Sequence, residues 1–243
     1  MIDNNTKIFS VLGDSIAMVR PDDGLFERDL YSCKLQQKLG PGYCVVNKAK
    51  VGNHAAWTVS EDSIVYHVRG AKAQFFSIQI GVVDCAPRMF TEEERRHLAK
   101  LVNYPLLGNL IKARIRRQSL RRYEITQNRQ IVLTPPDEFE SHYRVLIANI
   151  RKYNPVQAIY ILNIGYPGAY FSARNYGIEG NIKMFNDILE KIVNDNSDLL
   201  RLVDVHSFTR THPKYILADG HHFGSEVHTF IANEIYKSMP QGN

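Results

Sequence analysis

The stretch KIFSVLGDSIAMV, residues 7 to 19, joins a strand-like apolar run to a polar turn. The run stops at Gly13-Asp14-Ser15, and a second apolar run begins at once. Glycine tolerates strained dihedral angles, and aspartate or serine caps a helix, so this pattern predicts a strand that turns into a helix. Locally, Ser15 is either a nucleophile presented at a strand end or a small polar residue in a turn.

The rest of the chain alternates between strand-like and helix-like segments. Strands are predicted at 7–13, 43–50, 74–84, 156–165 and 199–208. Helices are predicted near 22–39, 91–102, 134–153, 176–194 and 224–238. Such alternation implies a parallel sheet with helices on both faces. We therefore predict a three-layer α/β/α, flavodoxin-like fold with a five-stranded parallel sheet.

One segment does not fit this alternation. Residues 103–136 lack a strand pattern and are interpreted as a basic helical insertion, with its own helix near 108–123, in a single domain over 1–243. Within it, residues 112–130 carry a formal charge of +6, against +5 for the whole chain. Because the basicity is confined to one segment, the composition argues against a uniformly basic nucleic-acid binder.

Three features of the sequence bear on the cellular compartment of the protein. No apolar run approaches the roughly 20 residues that a membrane-spanning helix needs. The first residues lack a basic stretch followed by an apolar one, which a secretory signal would have. Cys33, Cys44 and Cys85 are odd in number and lack CxxC spacing, which is typical of thiols in a reducing compartment. We expect a cytoplasmic protein.

Polar residues follow the predicted strands, where ligand sites of parallel α/β folds lie. Gly13-Asp14-Ser15 follows the first strand, Gly52 the second, and a Gly-x-x-Asp motif, residues 81–84, the third. An Asp-x-x-His motif, residues 219–222, stands just before the last helix. In order and spacing these blocks resemble the SGNH (GDSL-type) hydrolase family over most of the chain, the basic insertion excepted.

The resemblance implies a serine ester hydrolase that works through an acyl-enzyme. A serine hydroxyl is a poor nucleophile until a base accepts its proton, and an imidazole can do this near neutral pH. Ser15 is then the nucleophile, His222 the general base, and Asp219 the group that orients His222. The neighbouring His221 projects in another direction, and we expect it to face substrate or solvent.

The third block departs from the family pattern. The resemblance implies that the backbone amides of Ser15 and Gly52 bind the oxyanion, with Asn53 as a helper. The family also places an Asn where this chain has Val83, which has no side-chain donor. Three alternatives stay open: the remaining donors suffice, Arg88 supplies a substitute, or the chain is a catalytically weak glycan-binding module. Removal of one oxyanion donor lowers rates by about 10²–10³.

The loop after the third strand carries two further candidates. An ionised Asp84 would repel an oxyanion, so we expect Asp84 and Arg88 to form a structural pair that orders this loop. Arg88, Asp84 and His221 are also the candidate substrate-binding residues.

A metal site is the second enzyme hypothesis, because carboxylates and imidazoles are frequent in the last third of the chain. The candidates are Asp204, His206, His212, Asp219, His221, His222 and His228. They lack a recognised spacing such as HExxH, so we predict neither a metal nor another cofactor.

The basic insertion has three interpretations: a solvated surface, a cap that offers positive charge to an anionic substrate, or a contact with a membrane surface. The preferred substrate class is an O-acetylated, anionic carbohydrate or a similar small-molecule or glycan ester. The alternatives are an O-acyltransferase that uses the same triad, a lysophospholipase or thioesterase, and the glycan-binding module. Trp57, Tyr170 and Phe171 either stack on a sugar or pack within the protein.

Overall fold

The centre of the protein is a parallel sheet, seen in a computed structural model that describes residues 6–104 and 107–240. Its strands are β1 (Lys7–Gly13), β2 (Tyr43–Asn47), β3 (Phe75–Gln79), β4 (Ala158–Leu162) and β5 (Leu200–Val203). The strand order is β2-β1-β3-β4-β5, and every neighbouring pair is parallel. The predicted five-stranded parallel sheet is therefore confirmed.

Helices connect the strands and cover both faces of the sheet. They are α1 (Tyr31–Leu39), α2 (Ala55–Thr58), α3 (Glu61–Ser63), α4 (Val82–Cys85), α5 (Glu92–Val102), α6 (Gly108–Leu120), α7 (Arg122–Arg129), α8 (Pro136–Tyr153), α9 (Ala169–Arg174), α10 (Ile178–Asn194), α11 (Val205–Thr211) and α12 (Ser225–Ser238). Helix α1 packs against α12, and α8 packs against α10. These pairs form the two outer layers of the predicted α/β/α fold.

The core lies between the sheet and these layers. Every residue of β3 and β4 is buried, as expected of strands covered on both faces. The ring of Phe9 stacks with the rings of Phe75 and Tyr160, with centroids 6.3 and 5.9 Å away. Burial of each large apolar side chain contributes about 1.5–3 kcal/mol, so this core fixes the positions of the strand ends.

Several predicted elements end or begin elsewhere than the sequence pattern suggests. The strand predicted at 74–84 ends at Gln79, because Gly81 has a φ of +144° and α4 follows it. The strand predicted at 199–208 ends at Val203, where the carboxylate of Asp204 accepts the Ser207 N–H and begins α11. The helix predicted near 22–39 begins only at Tyr31.

The basic insertion is helical, although it is not the single helix predicted near 108–123. Its helices are α6 and α7, and α6 packs against α5. Gly108 permits the close approach of these two helices, because a Cβ there would lie 2.2 Å from the carbonyl oxygen of Val102. Residues 105 and 106 of the predicted insertion lie outside the described residues. None of the described helices is long and apolar enough to cross a membrane.

Candidate active site

Ser15 lies at the carboxyl end of β1, in the first turn after the strand. The carboxylate of Asp14 accepts the backbone N–H of Ile16 at 2.9 Å and caps a short 3₁₀ helix that begins at Ser15. Gly13 is required by space, since a Cβ there would lie 2.9 Å from the Cβ of Ala17. Burial raises the pKa of Asp14 to about 7. The turn presents the Ser15 hydroxyl at the carboxyl end of the sheet.

The loop before α12 carries Asp219 and His222 to the same end of the sheet. The loop is closed by a hydrogen bond from the Leu217 N–H to the His222 carbonyl, at 2.8 Å. Gly220 has a φ of +82°, and a Cβ there would lie 2.6 Å from the backbone nitrogen of Phe171. Only glycine therefore fits this turn against the neighbouring segment.

The structure joins these two segments through a continuous chain of side-chain contacts. Ser15 Oγ lies 2.9 Å from His222 Nε2, and His222 Nδ1 lies 2.6 Å from Asp219 Oδ2. An ionised carboxylate only accepts hydrogen bonds, so Nδ1–H donates to Asp219 and Nε2 faces the serine hydroxyl. The three residues predicted as a triad are thus brought together in the order that proton transfer from Ser15 requires.

Asp219 and His222 are both held in the protonation state that this series of hydrogen bonds requires. Burial opposes ionisation of Asp219, but the backbone N–H groups of His222 and His221 donate to its carboxylate and hold its pKa below the usual range. Burial lowers the pKa of His222, and Asp219 partly offsets this effect. With an exposed fraction of only 6%, His222 is neutral at neutral pH and ready to accept a proton.

Arg20 is a member of this site that the sequence interpretation missed. Its Nη2 donates to Asp219 Oδ2 at 3.1 Å, and its Nη1 lies 3.3 Å from His222 Nε2. Its Nε also donates to Asp23, at 2.7 Å. The signal in the sequence was a cation only five positions after Ser15, in a turn that also contains Pro21 and two aspartates.

The predicted oxyanion donors differ in what they already bind. Within the described residues, the backbone N–H groups of Ser15 and Gly52 donate to no protein acceptor. Gly52 adopts a φ of +68°. Asn53 is 4% exposed, and its side-chain amide donates to the Gly13 carbonyl at 3.0 Å. This bond fastens the loop after β2 to the end of β1. The roles of Ser15, Gly52 and Asn53 as oxyanion donors stay predictions.

Asp84 offers no exposed surface to a substrate, which argues against one predicted role. Its exposed fraction is 0%, and its carboxylate accepts the Ala55 N–H at 3.0 Å and the Thr134 hydroxyl at 2.6 Å. Burial raises its pKa. Asp84 therefore ties the second strand-end loop to the third, as a structural carboxyl group.

The expected ion pair between Asp84 and Arg88 is also corrected. Arg88 forms no salt bridge with a carboxylate of the described residues. Its Nη2 donates instead to the carbonyl oxygen of Val83, at 2.6 Å. Arg88 orders the loop through this backbone contact, next to the residue that replaces the family Asn.

The ring of His221 lies beside that of His222, with centroids 4.0 Å apart. The His221 ring also stacks on Phe171 with centroids 4.9 Å apart, and burial lowers the pKa of His221 to about 4. Its role in substrate binding stays a prediction. Phe171 thus packs within the protein, whereas Tyr170 is exposed. The ring of Trp57 lies beneath Lys50, whose Nζ is 3.5 Å from the ring centroid.

Among the described residues, one group of side chains has donor atoms close enough together to hold a metal ion. It consists of Asp219, His221 and His222, with donor atoms within 4.8 Å of one another. Two of these residues are already joined by the bond between His222 Nδ1 and Asp219 Oδ2. A metal there would compete with the triad. The other predicted ligands do not join this group, and His228 is buried against Tyr31.

Comparisons with known proteins agree with this architecture. No family model and no curated protein sequence matches the chain. Its fold is similar to that of an alpha/beta hydrolase enzyme from the metagenome of Lake Arreo, with 19% identity, a TM-score of 0.61, and coverage of 95% of this chain and 94% of that one. It is also similar to an acetylxylan esterase from Geobacillus stearothermophilus, with 17% identity, a TM-score of 0.60, and coverage of 98% and 95%.

A third similar structure is a lipase/acylhydrolase from Enterococcus faecalis, with 14% identity, a TM-score of 0.62, and coverage of 98% of this chain and 100% of that one. These neighbours are SGNH-type hydrolases. The protein has the SGNH hydrolase fold, and the resemblance drawn from the strand-end motifs is confirmed at the level of the fold.

Proposed function

We propose that the protein is a serine ester hydrolase that forms an acyl-enzyme on Ser15. The observation that carries this proposal is the chain of contacts from Ser15 Oγ to His222 Nε2 at 2.9 Å and from His222 Nδ1 to Asp219 Oδ2 at 2.6 Å. His222 accepts the hydroxyl proton as Oγ attacks the ester carbonyl, and Asp219 stabilises the imidazolium that forms.

The remaining steps follow from the same groups. His222 returns its proton to the leaving alkoxide, so the alcohol departs and an acyl-serine remains. Water then attacks the acyl carbon while His222 takes its proton, and the carboxylic acid leaves as Ser15 is restored. The unused N–H groups of Ser15 and Gly52 are the proposed donors to the oxyanion in both halves.

The preferred substrate class is an O-acetylated carbohydrate. Its support is twofold: a neighbour of the same fold is an acetylxylan esterase, and a basic insertion suits an anionic sugar. An acyltransferase would use the same steps with a sugar hydroxyl in place of water. Val83 favours a second candidate, a glycan-binding module, because the family's side-chain oxyanion donor is missing.

Hydrolysis of p-nitrophenyl acetate and of a panel of acetylated sugars tests this proposal. We expect acetate release by the wild type and none above background by Ser15→Ala. Release that requires a sugar acceptor would identify an acyltransferase. If the folded wild type is no faster than Ser15→Ala, yet both bind a glycan, the hydrolase proposal is wrong and the binding module replaces it.

A further inference from the structure

Three arginines that are far apart in the sequence lie on segments that the fold brings together, and the charges of two of them act on the third. Arg88 follows α4, Arg122 begins α7, and Arg174 ends α9. Arg122 connects the other two segments: its Nη2 donates to the Pro87 carbonyl at 2.6 Å, and its Nε donates to Asn175 Oδ1 at 2.7 Å. Residues 87 and 175 are the chain neighbours of Arg88 and Arg174. We call these three residues the arginine cluster.

Neutral groups alone hold the arginine cluster in place. Arg88 donates to the carbonyl of Val83 at 2.6 Å, and its Nε is buried with no hydrogen-bond partner among residues 6–104 and 107–240. Arg174 donates to the Tyr170 hydroxyl and, at 3.4 Å, to the Ser119 carbonyl. Within the described part of the chain, no carboxylate forms a salt bridge with any of the three.

This arrangement leaves three half-buried positive charges without a counter-ion. Burial lowers the pKa of Arg122, and the charges of Arg88 and Arg174 lower it further. Burial likewise lowers the pKa of Arg88. Removal of charges from water is unfavourable unless they are paired, so the cluster gains free energy when an anion enters. Two other basic side chains of the insertion, Arg121 and Arg129, have acidic partners on the surface, Glu124 and Glu94.

Hydrogen bonds connect the segments that carry the arginine cluster to two loops of the candidate active site. On one side, Arg88 is bound to Val83, in the strand-end loop where the family has its oxyanion Asn. On the other side, Arg174 belongs to α9, whose preceding residue Gly168 donates its N–H to the Gly220 carbonyl at 2.8 Å. Gly220 lies between Asp219 and the two histidines of the catalytic loop.

We propose that Arg88, Arg122 and Arg174 form a subsite for a carboxylate or phosphate group on the alcohol part of the ester substrate. Guanidinium groups match the planar, bidentate geometry of such oxyanions. An acetyl group carries no anion, so the charge lies on the alcohol side of the ester bond. This inference deepens the proposed function and rests on it: the substrate becomes an acylated acidic sugar or sugar phosphate.

Binding can be measured without turnover in the Ser15→Ala protein. Isothermal titration calorimetry would compare glucuronate, glucose 6-phosphate and neutral glucose as probes. We expect the anionic probes to bind and glucose to bind at least about tenfold more weakly, since a neutral sugar forms no charge-assisted hydrogen bonds of the carboxylate or phosphate kind with the guanidinium groups. The stronger anionic probe identifies whether the subsite takes a carboxylate or a phosphate.

Two second-site variants assign this binding to the cluster. Adding Arg122→Gln or Arg174→Gln to Ser15→Ala should weaken the anionic probe about tenfold or more. Arg174→Gln keeps the test valid if loss of the bridging Arg122 unfolds the loop, which a melting temperature would reveal. Arg117→Gln is the matched control: it removes an exposed charge of α6 outside the cluster, and affinity should not change.

A kinetic arm separates this inference from the proposed function. The protein that retains Ser15 would be assayed with an acetylated glucuronide or sugar phosphate and with the matched acetylated glucoside. The ratio of kcat/KM for the anionic substrate to that for the neutral one should fall about tenfold in Arg174→Gln and stay constant in Arg117→Gln. Equal binding of anionic and neutral probes, or a ratio unaffected by Arg174→Gln, overturns the subsite. Absence of turnover in the wild type contradicts the proposed function instead, while the titration still reports on the subsite.

Discussion

Polar side chains at the ends of the strands differ from those of the basic insertion in burial and in hydrogen bonding. At the strand ends, Asp84 and His222 are buried, and their partners are fixed side chains or backbone groups. In the insertion, the buried residue of α6 is Gly108 and that of α7 is Thr126. Its arginines reach neighbouring segments through long side chains that end on carbonyl or amide oxygens.

The difference indicates separate roles for the two regions. Buried groups with all their hydrogen bonds formed cannot rearrange without a large loss of free energy. They therefore suit chemistry that needs atoms held within about 0.5 Å of their productive positions. Long side chains on a half-exposed hairpin adapt to different ligands at a small energetic cost. Under the proposed function, we therefore expect the reaction to take place at the strand ends and substrate preference to depend on the insertion and the segments that it contacts.

The largest expected effect separates two adjacent histidines at the strand ends. His222→Ala removes the general base and should lower kcat/KM by about 10⁴-fold or more. His221→Ala removes the ring that stacks on Phe171, and its activity should stay within about tenfold of the wild type. Rates on p-nitrophenyl acetate check both variants. Equal losses would contradict the assignment of the base to His222.

The next prediction compares how much one apolar side chain of each region contributes to the free energy of unfolding. Ile159→Ala, at a fully buried position in β4, should lower the free energy of unfolding by about 2–5 kcal/mol. Ile115→Ala, at a half-exposed position in α6, should lower it by about 1 kcal/mol or less. Urea denaturation with both variants provides the values. A loss at residue 115 as large as that at residue 159 would show that the insertion is part of the core.

The smallest expected effect is a pH shift caused by Arg20. The positive guanidinium 3.3 Å from His222 Nε2 disfavours protonation of the imidazole and contributes to its lowered pKa. Only neutral His222 can act as a base, so activity is lost as the pH falls through this pKa. Arg20→Gln should raise the pKa and move the acid limb of the kcat/KM profile to higher pH, whereas Arg20→Lys should move it less. An unchanged acid limb would contradict this role.

The sequence predicted what short-range patterns encode. Apolar runs marked all five strands, and the spacing of Asp219 and His222 identified the two residues that the loop brings to Ser15. Strand ends were predicted less well, since the left-handed turn at Gly81 and the cap at Asp204 depend on dihedral angles and hydrogen bonds that periodicity does not reveal.

Contacts between distant segments were not predictable in the same way. Arg20 reaches His222 across 202 positions of the chain, and Arg122 reaches Asn175 across 53. Neither arginine belongs to a motif. Asp84 was expected to pair with Arg88, but its partner Thr134 lies 50 positions away and is brought near only by the fold.

The most direct test of the central claim is intact-mass spectrometry after incubation with a fluorophosphonate, which reacts covalently with an activated serine. Wild type, Ser15→Ala and His222→Ala would be compared as folded proteins. We predict one adduct on the wild type and none on either variant, because the hydroxyl and the base that activates it are both required. Labelling of Ser15→Ala to the same extent as the wild type, or no labelling of the wild type, would contradict the account.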